Sequence, residues 1–191
     1  MAKTKIFEKT LVAYATFSII LFFLLGAGIH KKDKPVYDFK SNLIDAQVYT
    51  EDAQGMHECT WDVNRRLWSC SDRDWNTVAR SQEYVNGKPV PCIWAHAIQD
   101  RTINVKYSQI PAGDLIVQAA FVDSAMGCSD DSPVQLDVYV NGNIMDSLTT
   151  TKTQNTADAS ILLSEDAESV KFMISTSNEA CKHYCFNAEV R

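Results

Sequence analysis

Hydrophobic and polar positions divide the chain into one long apolar run and a remainder of short alternating segments. Residues 11–29 (LVAYATFSIILFFLLGAGI) carry no charge. At a rise of ~1.5 Å per residue, a helix of that length measures ~28 Å, which matches a hydrocarbon core of ~30 Å. The run predicts one transmembrane helix at residues 11–29, preceded by a cytoplasmic tail at residues 1–10.

A cleaved signal peptide is the alternative, because Gly26-Ala27-Gly28 supplies small residues after a basic N-terminus. A signal peptide's apolar region usually spans about 7 to 15 residues, and this run is longer. The length favours an uncleaved single-pass anchor. If the segment is cleaved, the protein is secreted.

The segment that follows predicts a stalk. Residues 30–55 begin with the charged cluster HKKDKP and then carry only scattered apolar residues. Pro35 argues against an unbroken continuation of the membrane helix, because proline removes a backbone donor and disfavours helical geometry in the residue before it. We therefore expect a stalk at residues 30–55 and one domain at residues 56–191, a length sufficient for a single core. Docking of Leu43, Ile44 and Val48 on the domain is left open.

From Met56 onward the apolar pattern has period two, and turn residues recur about every ten positions, as in an all-β sandwich. The pattern predicts an antiparallel, disulfide-stabilised, jelly-roll-like sandwich. The clearest segments are residues 102–108, 115–122, 134–140, 144–150, 159–163, 170–175 and 184–190.

Two of these segments allow finer predictions. A three-residue turn at Asn141-Gly142-Asn143 would place Val140 opposite Ile144 and Leu136 opposite Leu148, so that apolar side chains pair. Alternation in residues 184–190 predicts that the C-terminus forms a strand inside a sheet.

Cysteine placement decides the topology. Lysines flank both ends of the apolar run, so the positive-inside rule is nearly balanced. All six cysteines follow the run, and an even number of thiols is typical of disulfides in an oxidising compartment. We predict an extracytoplasmic domain whose disulfides use Cys59, Cys70, Cys92, Cys128, Cys181 and Cys185.

One disulfide has a geometric basis in the sequence. Cysteines and tryptophans are mirror-placed about Asn64-Arg65 in CTWDVNRRLWSC. A hairpin with its turn there places Cys59 opposite Cys70 and Trp61 opposite Trp68. Cys181 and Cys185 are too far apart on a strand to bond to each other, so their expected partners are Cys92 and Cys128, in an order that sequence leaves open.

Composition excludes one class of partner. The formal net charge is −6, and because residues 1–29 carry three lysines and one glutamate, the remainder carries about −8. A surface of that sign repels nucleic acid, which needs a basic face to replace its counterions. We expect no nucleic-acid partner.

The tryptophans are the candidate ligand-binding residues. Trp61, Trp68, Trp75 and Trp94 occur in the first third of the predicted domain. Paired indoles either fill a core or cover a sheet edge, or they form a platform on which a sugar ring stacks. Both interpretations stay open at this stage.

The loop VDSAMGCSDDSP holds the candidate metal ligands. Asp123, Asp130 and Asp131 supply carboxylates of the kind that calcium prefers, although their spacing is not that of an EF-hand. A structural calcium and a solvated acidic loop are the two interpretations. No other cofactor is predicted.

The sequence does not favour an enzyme. It contains no Gly-x-Ser-x-Gly, no His-Glu-x-x-His and no phosphate-binding glycine loop. A glycosidase's paired carboxylates have no fixed sequence spacing, so sequence does not exclude a hydrolase. His96, between two alanines, is predicted to be a core residue rather than a catalytic base.

The segments IPAGDLIVQAAF, SPVQLDVYVNGN and ILLSEDAESVKFMIST resemble jelly-roll sandwiches of the galactose-binding, carbohydrate-binding-module type. The resemblance implies a domain that binds glycans through exposed aromatic side chains, often with a structural calcium. It assigns neither role to particular residues here.

Two functions are therefore expected. The first is a non-enzymatic, membrane-anchored extracytoplasmic module that binds a glycan or a protein. The alternative is an accessory or structural subunit of a membrane complex or surface filament, whose helix packs on its neighbours through Gly26, Ala27 and Gly28.

Overall fold

A computed structural model describes residues 34–71 and 73–191. Their regular structure is β-strand, apart from short 3-10 turns at Leu43–Asp45 and Asp123–Ala125. The strands are β1 Tyr37–Asp38, β2 Gln47–Asp52, β3 Gly55–Glu58, β4 Thr60–Asp62, β5 Leu67–Ser69, β6 Thr77–Val85, β7 Lys88–His96, β8 Thr102–Ile110, β9 Gly113–Phe121, β10 Val134–Val140, β11 Asn143–Thr150, β12 Thr156–Leu163, β13 Ala167–Thr176 and β14 His183–Val190.

The described ranges contain no helix that is long and apolar enough to cross a membrane. The predicted tail at residues 1–10 and the predicted membrane helix at residues 11–29 lie outside the described residues. Both stay predictions.

The strands form two antiparallel sheets. The first sheet has the order β12-β9-β14-β7-β6-β5-β4, with β1 pairing with β14, and the second has the order β11-β10-β13-β8-β2-β3. Alternate residues of the central strands face a shared core: Val134, Leu136 and Val138 are fully buried, as are Ile103 and Val105. The predicted all-β antiparallel sandwich is confirmed.

The predicted stalk is wrong for most of its length. Phe39 is fully buried and Val48 is 2% exposed. The Phe39 ring lies 4.9 Å from Tyr107 and 5.2 Å from Phe172, centre to centre, and β2 pairs with β8 in the second sheet. This segment combines two strands and a 3-10 turn within sixteen residues, so its apolar positions follow no single period.

The C-terminal strand prediction is confirmed. β14 lies between β9 and β7, and β1 extends the β7 side by pairing Tyr37 with Val190. The backbone N–H of Val36 also donates to the Val190 carbonyl at 2.8 Å. The two ends of the described chain therefore meet in the first sheet.

The hairpin of β10 and β11 corrects the predicted register. The turn has two residues, Asn141 and Gly142, both with positive φ, so that Val140 faces Asn143 rather than Ile144. A bulge beyond Tyr139 shifts the pairing by one residue, and Leu136 then faces Leu148 as predicted. The two-residue turn fits the strand twist, and the bulge restores the apolar pairing.

Strands β6 and β7 are absent from the segments predicted above. They form a hairpin about Asn86-Gly87, with φ of 53° and 72°. Asn-Gly between alternating residues is a strong hairpin signal. Prolines and charges in residues 80–91 obscure the alternation there.

Candidate ligand-binding cleft

Three disulfides join a hairpin, two neighbouring strands and two loops. Cys59 bonds to Cys70 across the β4–β5 hairpin, which confirms the predicted bond. Cys92 bonds to Cys185 between neighbouring strands β7 and β14, and Cys128 bonds to Cys181 between the loop after β9 and the β13–β14 loop. Cys181 and Cys185 therefore have the two partners predicted for them.

Trp61 and Trp68 form a pair at the edge of the first sheet. They face each other across β4 and β5, with ring centres 5.4 Å apart. Trp68 packs against the main core, and its indole N–H donates to the Leu43 carbonyl at 3.0 Å. This pair covers the sheet edge and holds the segment before β2.

Trp75 and Trp94 belong to a different cluster, which also contains two histidines. The Trp75 ring lies 4.7 Å from His96, and His96 lies 5.3 Å from His183, centre to centre. Trp94 lies 5.8 Å from His183 and packs beside the Cys92–Cys185 disulfide in a small cluster apart from the main core. The structure thus divides the four predicted tryptophans into two pairs.

A cleft of about 450 Å³ lies among the β5–β6, β7–β8 and β13–β14 connections. Its functional side chains are Arg73, Trp75, Asn76, Asp100, Arg101 and Glu179. The connections are tied together, since Gln99 bridges to Thr176 and the Ala97 N–H donates to the Lys182 carbonyl at 3.1 Å. The cleft is therefore a product of the sandwich fold rather than of one local motif.

Trp75 is the exposed aromatic residue of this cleft. It is 38% exposed, whereas His96 behind it is 8% exposed. The Arg73 guanidinium lies over the indole, 5.3 Å from the ring centre. Trp75 thus combines an accessible ring with a nearby cation.

Asn76 supplies a polar group at the wall of the cleft. The residue is 2% exposed, and its side-chain Oδ1 has no hydrogen-bond partner among the described residues. Its backbone is held by hydrogen bonds to Arg73 and Cys70, at 3.0 and 2.9 Å. A buried acceptor without a donor is costly, so a ligand hydroxyl that reached it would be favoured.

Two ion pairs border the cleft, and both are long. Arg73 lies 3.6 Å from Glu179, and Arg101 lies 3.6 Å from Asp52. The backbone N–H of Gln54 donates to the Asp52 carboxylate at 2.9 Å. That bond, with His57 and the Arg101 charge, holds the pKa of Asp52 below its ordinary value.

His96 is a buried residue, as predicted. Its Nδ1 lies 3.1 Å from the Ala97 carbonyl, to which it donates as the neutral tautomer. Burial, and then the neighbouring His183 imidazole, lower the pKa of His96. The neutral ring is therefore the favoured form in the fold.

The acidic loop uses its carboxylates to hold backbone and a buried lysine. Asp123 accepts from the Asn86 and Gly87 N–H groups at 2.8 and 2.9 Å, and Asp131 accepts from the Lys152 N–H at 2.8 Å.

Asp130 pairs with the ammonium of Lys182, which is fully buried. Residues 34–71 and 73–191 contain no group of three or more His, Cys, Asp or Glu side chains that could hold a metal ion. The structure does not bring Asp123, Asp130 and Asp131 together, and calcium binding there stays a prediction.

Sequence reasoning missed the polar residues of the cleft. Arg73, Asn76, Arg101 and Glu179 occur in short charged stretches that read as solvated loops. Their convergence depends on three connections that lie far apart in the chain. The one local signal was Trp75, an aromatic residue inside a polar segment.

No family model matches this sequence, and no curated protein matches it. Solved structures similar to it include a CBM51 domain of Clostridium perfringens GH95 in complex with methyl-galactose, at 13% identity and a TM-score of 0.45 over 59% of this chain and 79% of that chain.

A second is a CBM51-2 and INT structure of Clostridium perfringens ZmpB in complex with GlcNAc, at 9% identity and a TM-score of 0.45 over 59% of this chain and 26% of that chain. A third is a family 35 carbohydrate-binding module from an environmental isolate, at 16% identity and a TM-score of 0.37 over 60% of this chain and 83% of that chain.

This chain spans about a quarter of the length of the ZmpB chain. These three solved structures contain carbohydrate-binding modules, the class named by the sequence resemblance. Likeness at these values decides neither ligand nor mechanism, which depend on this chain's own residues.

Proposed function

We propose that this chain is a non-catalytic glycan-binding module whose ligand site is the cleft around Trp75. The observation that carries the proposal is the exposed Trp75 ring among polar side chains in a cleft of about 450 Å³. Ligand sites commonly combine an apolar or aromatic wall with a few convergent polar groups. This cleft offers both.

The polar groups match the hydrogen bonds of a sugar. A sugar hydroxyl both donates and accepts, so it can donate to the Glu179 carboxylate and accept from Arg73 or Arg101. The apolar face of a sugar ring can rest on the Trp75 indole. The sugar ring then lies beside the Arg73 guanidinium on the indole, or it displaces that side chain. Arg73 is 62% exposed and has one long ion pair.

Glycan binding is tested on the full-length chain in a detergent without a sugar head group, because such head groups would compete for the site. A glycan array identifies a ligand, and calorimetry measures its affinity. Trp75→Ala is expected to weaken binding by about tenfold or more. Tyr84→Ala is the matched control, since Tyr84 is an exposed aromatic residue at the far end of β6.

The control should bind like the unaltered chain. The proposal is wrong if no glycan binds, or if Trp75→Ala, shown by circular dichroism to be folded, binds with unchanged affinity.

We further propose that residues 11–29 anchor the module as a single-pass protein, with the sandwich outside the cytoplasm. Support comes from the length of the apolar run and from the three disulfides, which persist in an oxidising compartment. N-terminal sequencing of the mature chain tests the anchor, and a start near residue 29 would refute it. The alternative, a subunit of a membrane assembly, depends on the same segment and stays a prediction.

A further inference from the structure

We infer that the ligand of this cleft is an acidic saccharide, whose carboxylate or sulfate is bound by Arg73 and Arg101. The inference rests on the proposed glycan-binding function and names the chemical class of the ligand. The observation that supports it is that both guanidinium groups line the cleft and have only long ion pairs to their carboxylate partners.

The two arginines reach the cleft from different connections. Arg73 comes from the β5–β6 connection, and Arg101 directly precedes β8. Their side chains are 62% and 36% exposed. Two cations thus line one concave space that also contains the Trp75 ring.

Neither guanidinium is fully engaged by its protein partner. The distances to Glu179 and Asp52 are both 3.6 Å, whereas a charge-assisted N–H···O bond is about 2.7 to 2.9 Å. Among the described residues, neither arginine side chain donates a hydrogen bond. Elsewhere on this surface close pairs do form, since Lys40 contacts Asp38 at 2.8 Å and Arg191 Nε donates to Glu189 at 2.7 Å.

The donors of a guanidinium form a planar fork that matches a carboxylate or sulfate. An acidic group on the ligand would give Arg73 a closer partner than Glu179. It would also draw the guanidinium away from its position over Trp75, which frees that part of the ring for the sugar. Acid recognition and ring stacking are therefore coupled through Arg73.

The charges near the cleft determine how strongly an acidic glycan is preferred over a neutral one. The cleft also holds Asp100 and Glu179, so the charges of the four charged lining residues within the described ranges sum to zero, and the whole chain is acidic. Asp52 stays ionised because its pKa is lowered. An acidic ligand gains from short hydrogen bonds rather than from long-range attraction, so we expect a preference of about tenfold over the neutral form.

The test uses pairs of glycans that are identical except for one acidic group: sialylated and desialylated, sulfated and unsulfated, uronate and uronate methyl ester. Binding of the full-length chain to each pair is compared, and the tightest pair is then measured by calorimetry. The acidic member should bind about tenfold more tightly, and Arg101→Gln or Arg73→Gln should remove most of that preference. Arg80→Gln, an exposed arginine on β6, is the matched control and should keep it.

The outcomes separate the two proposals. Equal binding of neutral and acidic members refutes the acidic ligand and leaves glycan binding intact. An acidic preference that survives in both arginine variants also refutes it. If no glycan of either kind binds, the proposed function fails and the inference fails with it.

Discussion

The two tryptophan pairs differ in their burial and in the residues that surround them. Trp61 and Trp68 lie on the core-facing side of an edge hairpin, and the Trp68 indole N–H bonds to the Leu43 carbonyl. Trp75 and Trp94 lie outside the main core, where Trp75 is 38% exposed beside a charged cleft. The first pair stabilises the edge of the fold, whereas Trp75 of the second pair borders the cleft that we propose as the ligand site.

The largest expected difference between the two pairs is the loss of folding stability when one tryptophan of each is replaced by alanine. Trp68→Ala removes a half-buried indole that packs on the core and is expected to lower the free energy of unfolding by about 3 kcal/mol. Trp75→Ala removes an exposed ring and should change it by less than about 1 kcal/mol. Chemical denaturation of the full-length chain, followed by far-ultraviolet circular dichroism, measures both. Equal losses would mean that the two pairs do not differ in their contribution to the fold.

Removing the Cys59–Cys70 disulfide tests whether the hairpin itself holds the first pair in place. The bonded cysteines are separated by 11 residues, and closing a loop of that length stabilises a fold by about 2 to 3 kcal/mol. Cys59→Ser with Cys70→Ser should show that loss in the same denaturation experiment. Trp61 fluorescence should also shift towards that of an exposed indole, and an unchanged spectrum would show that the sheet alone orders the pair.

A smaller change isolates the hydrogen bond of Trp68. Trp68→Phe keeps an aromatic ring on the core but leaves the Leu43 carbonyl without its indole donor. The expected loss is about 1 kcal/mol, as for a single hydrogen bond, and Trp61→Phe should cost less because Trp61 does not make that bond. A reversed order of the two variants would assign the stabilising role to Trp61.

The sequence predicts what depends on neighbouring residues. Mirror symmetry about Asn64-Arg65 was sufficient for the Cys59–Cys70 bond, because a hairpin places residues equidistant from its turn opposite each other. Period-two alternation likewise predicts β14 and its place inside a sheet. Both predictions depend only on residues that are close together in the chain, and each pattern fits one local arrangement of the backbone.

The sequence does not predict what several distant segments build together. Residues 36–52 look like a stalk because their contacts, such as Phe39 with Tyr107, join positions far apart in the chain. The cleft has the same origin, since Arg73, Arg101 and Glu179 come from three connections. No spacing in the sequence relates those residues, so the two tryptophan pairs look alike until the sheets are assembled.

The smallest expected effect is a pH dependence confined to the Trp75 region. Burial and the His183 imidazole lower the pKa of His96 in the folded state, although Glu179 acts in the opposite direction. A histidine with a lowered folded pKa binds its proton more readily when the chain is unfolded. The stability contributed by His96 is therefore fully present above the unfolded pKa of about 6.5 and is lost as the pH falls from there through the folded pKa.

His96→Gln should reduce the stability lost between pH 7.5 and pH 5, while Trp68→Phe, in the other region, should retain that loss in full. Denaturation curves of the unaltered chain and of the two variants are measured at both pH values. If His96→Gln loses as much stability as the unaltered chain, the acid sensitivity arises elsewhere in the sandwich.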